Sequence, residues 1–107
     1  MANYLLVYTG GSGMAETEAE KKAIMDAWGA WFGGMGSALV DGGNPFSGMA
    51  KTIAPDGKVS DGSMGSKASG YSIIKANSLD EATKMAQGCP VLKGGATITV
   101  HETFDVM

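Results

Sequence analysis

Apolar residues recur along this chain at several distinct spacings, and each spacing predicts an element. In "NYLLVY", Tyr4, Leu6 and Tyr8 alternate with Leu5 and Val7, so a strand built here is apolar on both faces. Further on the step lengthens to three and four. Ala23, Ile24, Ala27, Trp28, Trp31, Phe32 and Met35 form one stripe of a helix, with Lys21, Lys22 and Asp26 off it. Thr17 and Glu20 form an S/T-x-x-E capping box at its start, and the run "GGMG" predicts its end. "SALVDGGNPF" then reads as a short strand leaving at a glycine turn, with "GMAKTIAP" as its hairpin partner. "APDGKVSDGSMGSKASG" lacks periodicity and carries turn signals at Asp56-Gly57 and Asp61-Gly62, which makes it the longest loop. Alternation returns in "GYSIIKA". A second helix follows in "NSLDEATKMAQG", with the capping box Ser78 to Glu81 and a stop at Gly88, and "ATITVHETF" closes the series as a strand.

The predicted order is strand, helix, strand, strand, strand, helix, strand. With the third strand counted as an extension, this is an α+β, ferredoxin-like βαββαβ arrangement with an extra short strand: an antiparallel sheet carrying both helices on one face. The other face has nothing from this chain to cover it. Because the first strand is apolar on both sides, a second copy packed there, as a homodimer joined through sheet faces, is the expected solution.

Composition narrows the chemistry. At 107 residues one domain is expected, spanning 1–107. The formal net charge is −3 and all eight basic residues are lysines. Without the planar two-pronged donor of arginine, nucleic-acid binding and a bidentate clamp on an anionic substrate are not expected. The one cysteine cannot form an internal disulfide, and with one histidine there is no Cys/His cluster for zinc, so neither a metal nor a cofactor is expected. "MANYLLVYTGG" has no basic segment leading a long apolar run, and no stretch approaches a membrane span, so the reading is soluble and cytoplasmic. Seventeen glycines and eight methionines predict many tight turns and a core packed partly by adaptable thioethers.

Taken together, "YLLVY", the tryptophan-bearing first helix, "LVDGGNPF", "GKVSDGSM", "GYSIIKANSLDEATKMAQGCP" and the closing "ITVHE" resemble the YCII-related proteins, in particular the branch named for its Asp-Gly-Pro-Phe motif. The resemblance runs over nearly the whole chain, and its most specific piece extends from Gly70 to Pro90. It implies a dimeric α+β barrel of ferredoxin-like subunits with a pocket near the dimer interface, where some members hold a histidine and an aspartate arranged like a catalytic dyad. Here the first helix has no histidine, and Cys89 stands where a histidine often precedes the proline. Asp61 and Gly62 match the naming motif, with Ser63 and Met64 in place of proline and phenylalanine, and Asp41 lies where the family tends to have a carboxylate-bearing strand end.

Six residues are the candidates for chemistry. His101 shares a predicted strand face with Thr97, Thr99 and Thr103, as a general base or as a hydrogen-bonding interface residue, and a dyad would take its acid from Asp41, Asp61 or Glu102. Cys89 follows a helix C-terminus, where the dipole disfavours a thiolate, which points to packing more than to a redox thiol. Tyr8, Asp41, Tyr71 and His101 are expected to line a sheet-interface pocket, with Asp61 and Cys89 added by the family analogy. Trp28, Trp31 and Phe32 read as core, and "TGGSG" lacks both the lysine-threonine pair of a P-loop and dinucleotide spacing. The leading expectation is a small-molecule-binding or auxiliary homodimer. The alternatives are a cofactor-free lyase or isomerase moving a proton with His101 or an aspartate, and a structural or interaction module.

Overall fold

The structure, a computed structural model, describes residues 2–10, 17–63, 65 and 67–104. Most of the "TGGSGMAE" turn and Met64 lie outside the described residues. Four strands form one antiparallel sheet: β1 (Ala2–Thr9), β2 (Leu39–Asp41), β5 (Ala68–Ala76) and β6 (Thr97–Glu102), in the order β2-β5-β1-β6. Two short strands, β3 (Lys51–Ile53) and β4 (Val59–Asp61), pair with each other in a separate two-stranded sheet. The helices are α1 (Glu18–Met35) and α2 (Leu79–Ala86). This is an α+β architecture whose strand order is compatible with a ferredoxin-like fold.

Both helix starts form as their sequences require. Thr17 and Ser78 adopt extended backbone, and their hydroxyls accept from the amides of Glu20 and Glu81, each at 3.1 Å. These bonds satisfy amides that have no partner inside the helix. α1 ends inside the "GGMG" run, as its sequence predicts. Gly33 and Gly34 lie within the helix, which stops at Met35, where Gly36 takes a positive φ and its N–H reaches back to the Phe32 carbonyl.

The middle of the chain differs from its sequence reading. β3 pairs with β4 and not with β2, so the segment read as the longest loop supplies a strand. Asp56 and Gly57 explain the choice. The Asp56 carboxylate accepts from the Lys58 amide, Gly57 sits at φ +89, and the Ala54 and Lys58 backbones close the turn at 2.8 Å. That turn matches β3 to β4 three residues deep. Meanwhile the residues after β2 stay beside β5, through a Pro45–Gly70 bridge and a bond from the Phe46 amide to the Ser69 carbonyl. Gly43 is indispensable to that course: at φ +72 its Cβ would lie 1.7 Å from the Tyr71 carbonyl oxygen.

The core lies between the sheet and the helices. Tyr4, Leu6 and Tyr8 of β1, Ile74 and Ala76 of β5, Ala82 and Ala86 of α2, and Cys89 form one buried cluster. Trp28, Trp31 and Met35 of α1 pack against it half-buried, with Trp28 meeting Tyr8 edge-on at 5.7 Å and the Trp31 indole donating to the Met85 carbonyl. The upstream end of the α1 stripe, Ala23 and Ile24, remains exposed. The molecule is a slab of 44 × 39 × 18 Å, the thickness of one sheet plus one helix layer. No helix among the described residues is long and apolar enough to cross a membrane.

Candidate functional site

The period of two that builds β1, β5 and β6 sorts their side chains between a helix-covered face and an open one. Tyr4, Leu6 and Tyr8 turn inward together with Ser72, Ile74 and Ala76, while Leu5, Val7, Tyr71 and Ile73 turn outward and remain partly exposed. Register then aligns residues across the sheet. Asp41 pairs with Ile73, Ile73 with Leu5, and Leu5 with His101, so one row on the open face reads acid, apolar, apolar, base. The next row sets Tyr71 beside Val7 and Val7 beside Thr99, and Thr97 follows opposite Thr9.

Of the six candidates, three share this face: Asp41, Tyr71 and His101. Asp41 sits at the end of β2 on one edge, with one carboxylate oxygen accepting from the Gly43 amide at 2.8 Å and the side chain exposed. His101 is exposed on the opposite edge. Three inter-strand steps, about 14 Å, separate them, so they cannot form a dyad within one chain. Glu102, the other neighbouring acid, pairs with Tyr4 on the helix-covered face, where its carboxylate accepts from the Tyr4 hydroxyl at 3.4 Å.

The remaining three lie elsewhere. Asp61 is in the β3–β4 arm, exposed and paired with Lys51 at 2.7 Å, an ion pair of the kind that contributes little. Tyr8 and Cys89 are buried on the helix-covered face, so the expected grouping of Tyr8 with Tyr71 and His101 in one pocket is not what the register gives. Odd and even positions of adjacent strands must face opposite ways, and Tyr8 stands opposite Gly70 while Tyr71 stands opposite Val7.

The buried side holds a polar chain that the sequence reading did not single out. The Tyr8 hydroxyl donates to Ser72 Oγ at 2.6 Å, and the Ser72 hydroxyl donates to the Gly42 carbonyl at 2.7 Å. Ser72 is wholly buried, and its inward position in "GYSIIKA", two residues before Ile74, is the signal that marked it. Burial pushes the Tyr8 phenol well above its ordinary range, with the Ser72 bond opposing and the nearby Cys89 thiol adding to the shift. Burial likewise raises the Cys89 thiol, opposed by the Val91 backbone and by Tyr8. Burial of this kind disfavours the thiolate that nucleophilic or redox chemistry needs.

Outside the sheet, a shallow crease of about 170 Å³ runs between the arm and the start of β5, lined by Phe46, Gly48, Met49, Ala50, Ser63 and Ala68. It is smaller than the roughly 300 Å³ at which small-molecule sites begin. Phe46 lies on Tyr71, ring centres 6.2 Å apart, which joins the crease to the open sheet face. No three His, Cys, Asp or Glu side chains among the described residues cluster closely enough to hold a metal ion. Compared with family models, curated proteins and solved structures, the chain matches none.

Proposed function

We propose that this chain is a YCII-related, small-molecule-binding homodimer, two copies closing their open sheet faces on one another as an α+β barrel with the ligand between them. The observation that carries the reading is the one-sided sheet: Leu5, Val7, Tyr71 and Ile73 form an apolar floor that neither helix covers. Four strands and about seven residues of strand length make a face of roughly 450 Å². A stable interface takes about 800 Å² from each partner, so the flanking apolar groups would have to contribute too. Phe46, 52% exposed, and Met49, 90% exposed, adjoin the floor through Tyr71 and the crease.

Native mass spectrometry of the freshly purified protein tests this. A dimer is expected, and mass retained beyond two chains would identify the ligand by its weight. Ile73→Lys sets a charge in the middle of the floor and is expected to give a folded monomer. An unmodified protein that is monomeric at micromolar concentration overturns the reading.

A further inference from the structure

The row Asp41–Ile73–Leu5–His101 crosses the entire sheet and carries opposite chemistry at its two ends. Two sheets packed face to face in the aligned class, as symmetric copies, are related by a two-fold axis close to the strand direction or by one across it. An axis across the strands brings β2 over β2 and β6 over β6, setting the acidic edge against itself and leaving imidazole against imidazole. An axis along the strands reverses the order, so that β2-β5-β1-β6 lies over β6-β1-β5-β2. The row then meets its own reverse: carboxylate over imidazole, isoleucine over leucine, leucine over isoleucine, imidazole over carboxylate. Charge complementarity favours this second arrangement, because like groups apposed across an interface are costly.

We propose that a second copy of this chain completes a composite acid–base pair, the His101 imidazole of one copy meeting the Asp41 carboxylate of the other across the two sheet faces. The inference rests on the homodimer reading above. Packed sheets lie about 10 Å apart, a gap that an imidazole and a carboxylate extended toward each other can bridge. One Asp41 oxygen is occupied by the Gly43 amide, which fixes the carboxylate and leaves its second oxygen for the imidazole N–H. A carboxylate in that position holds the ring in one tautomer and leaves the other nitrogen free to accept a proton from a hydroxyl-bearing ligand. Thr99 lies on the same face one row along, and the two-fold axis generates two such pairs per dimer.

The test uses two single variants, Asp41→Cys and His101→Cys, both at exposed positions, with the buried Cys89 left in place and the unmodified chain as the labelling control. Each preparation, and a re-equilibrated mixture of the two, is treated with a short bis-maleimide and mapped by peptide mass. A cross-link between positions 41 and 101 that forms only in the mixture is expected, since a mixed dimer keeps its second imidazole–carboxylate pair intact. A link between two copies of His101→Cys alone, or a dimer with no link in the mixture, overturns the composite pair while leaving the dimer standing. A protein that native mass spectrometry finds monomeric removes the dimer, and the composite pair with it.

Discussion

Ser72 is the residue on which the buried side of the sheet depends. Its hydroxyl is both the acceptor for Tyr8 and a donor to Gly42, so it ties β1, β5 and the segment after β2 together beneath α1. Ser72→Ala leaves the Tyr8 hydroxyl buried without its acceptor, and the expected loss in urea unfolding is about 1–3 kcal/mol. Adding Tyr8→Phe to that variant should cost less than the two single losses summed, because the two groups serve one bond. The same buried cluster sets the alkaline limit. The folded state keeps the Tyr8 phenol and the Cys89 thiol protonated to higher pH than the unfolded chain does. Their contribution is therefore complete below the unfolded values, about 8.5 for the thiol and about 10 for the phenol, and is lost as pH rises past them. Urea midpoints are expected to hold level up to about pH 8 and to fall steadily above it, with a shallower fall in Tyr8→Phe. Midpoints unchanged to pH 11 would show that these groups ionise alike in both states.

Among the elements, those defined by local chemistry were legible in the sequence. Thr17 and Ser78 announce their helices, and the alternation in "NYLLVY" and "GYSIIKA" marks two of the strands. What local pattern cannot convey is which strand pairs with which, and that is where the reading failed. "GMAKTIAP" has no feature that prefers β2 over β4; the deciding groups are the Asp56-Gly57 turn on one side and the tight passage of Gly43 by Tyr71 on the other. The candidate site was legible in part for the same reason. His101 and its threonines were assigned to one face from spacing alone, whereas the row linking them to Asp41 needs three pairings that only the sheet supplies. The β3–β4 arm has its own measurable consequence. Its cross-strand pair Ile53 and Val59 is 70% and 58% exposed, and the ladder is three residues deep. A hairpin so short is marginal without support, so amides of residues 51–61 are expected to exchange quickly while those of β1 and β5 are the slowest in the chain. Protection in the arm approaching that of β1 would mean that something beyond the chain's own core holds it.

At the scale of the whole molecule, the defining property is that β1 lies in the interior of the sheet and pairs only with β5 and β6. Tyr4 stands opposite Glu102, and even the nearest of its partners joins Thr9 to Ala68. Every contact that makes the sheet therefore closes a long loop, and such topologies fold on the slow side of the range for chains of this size. The two capped helices can form early, since their bonds are local, but they have no surface to settle on until the sheet exists. In that interval β1 is a strand apolar on both faces with neither of its neighbours beside it. The position that makes it the best-protected strand of the finished molecule makes it the most adhesive segment of the unfinished one, so refolding yield should be limited by how many copies meet before the late strands arrive.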